Sequence, residues 1–260
     1  MLPRFTVSRF GKVISSGRTR PCIVYCENEE GEEMEFVIKL TGSEGGVKGL
    51  VCEIIAAQFA NDLDLRIPES SLLEIGADFA ATVPNKDIAE IMNRSIGWNF
   101  ATKKLPASYY IVPPAKPLSV ELRKTAAEIF AFDAMIQNPD RRIINPNCLT
   151  NGNEIVILDH ELAFSFLAGV LFWSPPWENG DLNFLKEHIF HEPLRKTPVN
   201  FDRLAGAVEA ITDEQIQTYA AAVPPEWDGG KDAVTQILEY ILSLKQNILP
   251  TLEAIRSLLQ

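Results

Sequence analysis

Residues 138–164 read NPDRRIINPNCLTNGNEIVILDHELAF. A polar loop, 138–147, carries Asp140, Arg141, Asn145 and Asn147. Two short apolar runs, 148–150 and 155–158, flank the pair Asn151-Gly152, the strongest short-range hairpin signal. The second run delivers Asp159, followed by His160 and Glu161. One hairpin would then bring together a loop Asp, a loop Asn and a post-strand Asp. Such a set suits Mg²⁺ and phosphate, because Mg²⁺ takes hard oxygen ligands and a base carboxylate must stand near the metal but apart from it. The bland alternative is a polar turn ahead of a hairpin.

Upstream, residues 34–40 (MEFVIKL) read as a strand with Lys39 inside it. An ammonium in an apolar strand is costly unless it is paired or snorkels to water. After a turn at 41–46, residues 47–60 read as a helix whose apolar stripe is Val47, Leu50, Val51, Ile54 and Ile55. At about 100° per residue, Glu53 borders that stripe, where it can reach a strand Lys. Either residue alone has an ordinary reading, Lys39 as the exposed face of an alternating strand. Together they point to an ion pair far better than either does alone. Residues 5–14 and 21–27 read as strands rich in β-branched and aromatic residues. Between them, Ser15, Ser16, Gly17, Arg18, Thr19 and Arg20 make a turn of small residues whose backbone N–H groups could approach phosphates. An ordinary β-turn is the competing reading. The acidic run 27–33 reads as a solvated hairpin turn. Residues 71–83 and 107–112 read as strands, 87–93 as a short helix and 96–101 as a loop.

The sequence NPDRRIINPNCL followed by IVILDHELAF resembles the HipA-like kinases, and more distantly the type II phosphatidylinositol 4-kinases. The kinase pattern H-R-D-x-x-x-x-N puts its Asn five residues after the Asp, here at Asn145. The HipA-like loop is longer, which favours Asn147, the residue that enters the hairpin strand directly; Asn145 stays open as the alternative. V-I-K at 37–39 matches the kinase strand whose Lys binds the α/β-phosphates and pairs with a helix Glu. The resemblance implies an α+β, two-lobed protein-kinase-like fold: a small antiparallel β-sheet lobe with one αC-like helix (1–115), then a mainly helical lobe (116–260). It implies transfer of the ATP γ-phosphoryl group to a Ser/Thr hydroxyl of a protein. Lys39, Glu53 and Asp140 are the implied catalytic residues, and Asn147 and Asp159 the Mg²⁺ ligands. Ser15, Ser16, Gly17, Arg18 and Thr19 would cover the ATP phosphates, with autophosphorylation in that loop as a control. An antitoxin or regulatory partner belongs to the same expectation. The competing readings are a catalytically weak nucleotide-binding module and a lipid kinase.

The rest of the chain is consistent with this. Pro113, Pro114 and Pro117 break it, and 111–114 is a candidate adenine-contacting hinge. Ser119 can cap a helix reaching Gln137. From Ala126 to Ile136 that helix is apolar on nearly all sides and so should be buried. Asp133 inside it needs a partner, from the loop backbone or Arg141. Residues 165–180 are apolar and Pro-rich and occupy the place of a kinase activation segment. Residues 201–210 read as a helix, and Thr212 to Gln215 is a capping box opening another. A long amphipathic helix runs from about Lys231, interrupted near Pro250.

The totals fit a globular chain of one or two lobes. Of 260 residues, 46% are hydrophobic and 23% charged, with a formal net charge of −11. Residues 1–115 hold 12 basic and 15 acidic residues, and 116–260 hold 12 and 20, so the acidity concentrates in the second half. Direct nucleic-acid binding, which needs a basic face, is not expected. The four cysteines (22, 26, 52, 148) have no paired metal spacing, and His188-x-x-His191 alone is a weak metal signal. No apolar run approaches the length of a membrane span, and no signal-peptide core is evident. The expectation is a reduced, cytoplasmic protein without a membrane partner.

Overall fold

The computed structural model describes residues 1–14, 19–114, 118–169, 173–178 and 180–260. Three strands open the chain: β1 (Arg4–Val13), β2 (Cys22–Glu27) and β3 (Glu33–Lys39). Successive strand side chains face opposite ways. On β3, Phe36 and Ile38 are therefore buried, while Val37 and Lys39 are half-buried on the other face. The β1–β2 register slips between Phe10 and Lys12. Gly11 sits there because a Cβ would lie 2.9 Å from the Ile23 carbonyl oxygen.

The next elements are α1 (Gly46–Asp62), β4 (Ser70–Ile75), α2 (Ala77–Ala80), α3 (Lys86–Asn93) and β5 (Gly97–Lys103). The sheet order is β1-β2-β3-β5-β4, and β4 returns to β1 in parallel, Arg4 opposite Leu72. The expected small antiparallel sheet is thus closed into a barrel by one parallel pair. Closure leaves no long exposed edge. The strand expected at 71–83 ends at Ile75, where Gly76 leads into α2. The loop expected at 96–101 is β5. Its centre is Asn99, fully buried, whose amide donates to the carbonyls of Ser95 (2.7 Å) and Gly97 (2.9 Å) and accepts from the Thr41 N–H (2.9 Å). A satisfied buried Asn costs little in a strand, but its partners are invisible in a local reading.

Helix α1 is buried on most sides because it packs on β5 and on two later helices, α7 (Asp213–Ala221) and α8 (Lys231–Gln246). One hydrophobic cluster joins α1 to the helical half, and a second fills the barrel.

The second half begins with β6 (Tyr110–Ile111), the remnant of the strand expected at 107–112, and α4 (Val120–Met135). The Ser119 hydroxyl caps α4, accepting from the Leu122 N–H at 3.2 Å. The run 126–136 is buried throughout apart from Glu128, as its composition demands. Strands β7 (Cys148–Thr150) and β8 (Ile155–Ile157) form the expected hairpin. Its connection has four residues, 151–154, since the Asn151 side chain accepts from the N–H groups of Asn153 (3.0 Å) and Glu154 (3.2 Å). Gly152, at φ 95°, supplies the left-handed step.

Further on lie α5 (His191–Leu194), α6 (Asp202–Ala210), α7, α8 and α9 (Ile248–Ser257). The Thr212/Gln215 capping box is formed. The long final helix breaks at Asn247, and Pro250 falls in the first turn of α9, where a missing N–H costs little. In the apolar segment after Phe164, Phe166 and Trp177 pack on Tyr240 of α8 at ring distances of 4.8 and 5.5 Å. Among the described residues, no helix is long and apolar enough to cross a membrane.

Candidate active site

Between the barrel and the β7–β8 hairpin lies a cavity of about 720 Å³. Val37, Phe100, Leu149 and Ile157 give it apolar walls, and Lys39, Glu53, Asp140, Asn145, Asn147, Asp159 and Glu161 gather in its lining. The connection leaving β5, residues 103–107, also lines it. The candidate hinge at 111–114 does not. Ile111 pairs with Leu149, and the Val112 N–H donates to the Cys148 carbonyl at 3.1 Å. With β5 read as a loop, its far end could not be recognised as the cavity-facing crossover.

Lys39 reaches the cavity because β3 alternates. Its ammonium donates to Glu53 on α1 and, at 2.6 Å, to Asp159, and stands 3.5 Å from Glu161. Burial disfavours its charge, but Glu53, then Asp159 and Glu161, outweigh that and raise its pKa. Burial would likewise push Glu53 up, yet Lys39 and then His160 hold it down to about 2. Glu161 goes the other way: burial, together with Asp159 and Glu53, outweighs Lys39 and keeps its carboxyl above the usual range. Glu161 also accepts a hydrogen bond from the Thr19 hydroxyl, 3.2 Å. Among the described residues, Glu53, Asp159 and Glu161 place carboxylate oxygens within 4.8 Å of one another.

Asp140 is held from three sides. Oδ1 accepts from Arg142 at 3.0 Å, and Oδ2 accepts from Asn145 (2.8 Å) and Asn147 (3.1 Å). Both candidate asparagines therefore converge on Asp140. The hairpin register distinguishes them. Cys148 faces Ile157, and the Leu158 N–H donates to the Asn147 carbonyl at 3.0 Å, so Asn147 stands beside the residue preceding Asp159. Asn147 (φ 45°) and Asp159 (φ 62°) are both left-handed, a conformation their short polar side chains tolerate.

Arg141 is fully buried. It forms a two-pronged pair with Asp133 of α4 and donates to the carbonyls of Asn147 and Leu158 (the latter 3.1 Å). Burial raises Asp133, but Arg141 and then His188 overcome it and hold the carboxyl well below the usual range. Of the two partners open to Asp133, the loop backbone or Arg141, the geometry shows Arg141. His188 Nε2 lies 2.9 Å from Asp133, and its Nδ1 accepts from the Phe190 N–H at 3.1 Å, so both ring nitrogens serve structure.

Of the expected phosphate-covering residues, Ser15, Ser16, Gly17 and Arg18 lie outside the described residues, and Thr19 lines the cavity. Sequence reading missed Glu161, His160 and Arg142 as parts of the site. Their adjacency to Asp159 and Asp140 was the available signal.

A barrel with a helix bearing the Lys-paired Glu, followed by helices and a carboxylate-bearing hairpin, is a protein-kinase-like architecture. The neighbours among solved structures agree. The Helicobacter pylori proinflammatory kinase CtkA aligns over 98% of this chain and 99% of its own, with a TM-score of 0.51 and 14% identity. The Golgi casein kinase, solved with Mn/ADP bound, aligns over 99% of this chain and 74% of its own, with a TM-score of 0.55 and 10% identity. At such identities these likenesses show the fold. A comparison with curated protein sequences finds no match. The family model for HipA-like kinase matches residues 7–256, and the chain belongs to that family. Phosphotransfer is accordingly its class of activity.

Proposed function

We propose that this protein transfers the γ-phosphoryl group of ATP to a Ser or Thr hydroxyl of a protein substrate, with Mg²⁺ as the accompanying ion. The observation that carries the reading is Lys39, held between Glu53 and Asp159 over the cavity that Asp140 also lines. With nucleotide present, Lys39 turns from Asp159 to the α/β-phosphates while Glu53 keeps it aimed. Asp140 orients the acceptor hydroxyl and takes its proton, its rotamer held by Arg142, Asn145 and Asn147. Oxygen donors are what Mg²⁺ prefers, and Asn147 and Asp159, both lining the cavity, would supply them. The ion, when bound, neutralises charge on the phosphates. Catalysis by these residues is positioning and charge stabilisation.

Ser15, Ser16 and Thr19 are the proposed sites of self-phosphorylation. A phosphate adds about −1.5 to −2 charge, and at Thr19 it would face Glu161. An antitoxin-like or regulatory protein partner fits the family and the acidic second half. The test is turnover of labelled ATP with Mg²⁺ by the wild type and by Asp140→Ala, with mass spectrometry of residues 15–19. Equal phosphate transfer by both proteins would refute the role of Asp140. No turnover by either would leave a nucleotide-binding module.

A further inference from the structure

The loop between Asp140 and Asn147 exposes two large aliphatic side chains, Ile143 at 50% and Ile144 at 83%. They sit at the tip of a tight turn. The Arg142 N–H donates to the Asn145 carbonyl and the Asn145 N–H to the Arg142 carbonyl, both at 3.0 Å. The turn is braced at its base, where Arg142 also bridges His188 and the Ile189 N–H donates to the buried Arg141 carbonyl at 3.0 Å. Turn tips favour Gly, Asn, Asp and Ser, and β-branched aliphatics there gain nothing for the fold. The two residues that close this turn are also the two whose side chains grip Asp140, Arg142 at 3.0 Å and Asn145 at 2.8 Å. The isoleucines are thus rigidly tied to the carboxylate at which the acceptor hydroxyl reacts.

We infer that Ile143 and Ile144 form a specificity element that receives a large aliphatic residue of a protein substrate close to its phosphorylated hydroxyl. This rests on the kinase reading of the site and adds the chemistry of the substrate. A peptide chain delivering a hydroxyl to Asp140 has to pass beside this turn, because the loop carrying Asp140 continues directly into it. An extended segment advances only about 3.3 Å per residue, so the partner side chain falls within a few residues of the hydroxyl. The occupant is a stretch of substrate backbone with one aliphatic anchor. The two Ile side chains pack against that anchor and exclude water, which is the source of such affinity.

The test uses the full chain with Mg·ATP and a peptide library fixed at a central Ser or Thr and varied at each flanking position. The wild type should select Leu, Ile, Met or Val at one or two fixed positions. The Ile143→Ser/Ile144→Ser double variant should lose that selection, with about a tenfold drop in kcat/KM for the selected peptide, as expected for one partly buried aliphatic contact. Mg·ATP affinity should stay unchanged, since neither residue lines the cavity. Ile144→Ser alone should show a smaller loss. Selection without an aliphatic preference, or a preference that survives in the double variant, overturns the inference and leaves the kinase reading standing. Transfer to a lipid or small-molecule hydroxyl but to no peptide overturns it as well. Failure of the wild type to transfer phosphate at all removes both readings together.

Discussion

The Arg141 guanidinium lies 3.0 Å from His160 Nε2. A guanidinium only donates, so Nε2 accepts and the ring proton sits on Nδ1. That atom faces Glu53 at 3.8 Å. His160, buried and edge-on to Phe132, therefore stands between the Asp133–Arg141 pair under the 138–147 loop and the Lys39–Glu53 pair above it. One ring thus stands against both pairs.

His160→Ala should then weaken Mg·ATP binding by about tenfold, the scale of one hydrogen bond to a charged group. His160→Asn, whose amide nitrogen approximates the Nδ1 donor, should recover part of that loss. Calorimetric titration of the three proteins checks it. Equal affinities in all three would reduce His160 to packing.

Lys39→Met and Glu53→Gln should each cut kcat/KM severely, and the double variant should lose little more than the worse single, since each orients the other. A double-mutant cycle measures the coupling; additivity would sink the shared role. Lys39→Met alone leaves buried carboxylates without their cation and should also cost about 3–5 kcal/mol of stability.

The carboxylates beside Lys39 should respond oppositely to pH. Glu53 is depressed to about 2 from an ordinary 4.5, so its contribution is complete above about 4.5 and disappears as pH falls toward 2. Glu161 is raised, so its ionisation destabilises the folded state once pH passes the ordinary carboxylate range. Glu161→Gln should therefore raise Tm at pH 7, with the gain shrinking at pH 4. Thermal unfolding at both values decides it, and a lower Tm at pH 7 would contradict the sign.

Asp133→Asn should be among the most destabilising single changes, about 3–5 kcal/mol, because Arg141 would keep its buried charge without a counter-ion. Arg141→Lys should not rescue the fold, since one ammonium cannot replace a fork that meets Asp133 and two loop carbonyls. Urea unfolding gives the numbers.

Asn147→Ala should weaken Mg·ATP binding as Asp159→Asn does, whereas Asn145→Ala should lower kcat with affinity kept. Both asparagines grip Asp140, but only Asn147 also stands beside Leu158, next to Asp159, while Asn145 closes the turn. A larger affinity loss for Asn145→Ala would reverse the assignment.

Much of this protein was legible in one dimension. The hairpin, the buried helix, the Ser119 cap and the Thr212 capping box depend on residues within a few positions of each other, so periodicity and turn chemistry reveal them. The Lys39–Glu53 pair was legible because a charge in an apolar strand demands a partner, and the next helix offered one. Strand β5 was not, because Asn99 is acceptable there only when Ser95, Gly97 and Thr41 satisfy it. Barrel closure through β4 and β1 was equally hidden, since pairing between residues 4 and 72 leaves no local trace. Tertiary structure also decided that Arg141 serves Asp133, that Glu161 joins Lys39, and that residues 103–107 line the cavity. Local sequence sets which groups need partners. Only the folded chain, by bringing distant polar groups together away from water, settles which partners they find.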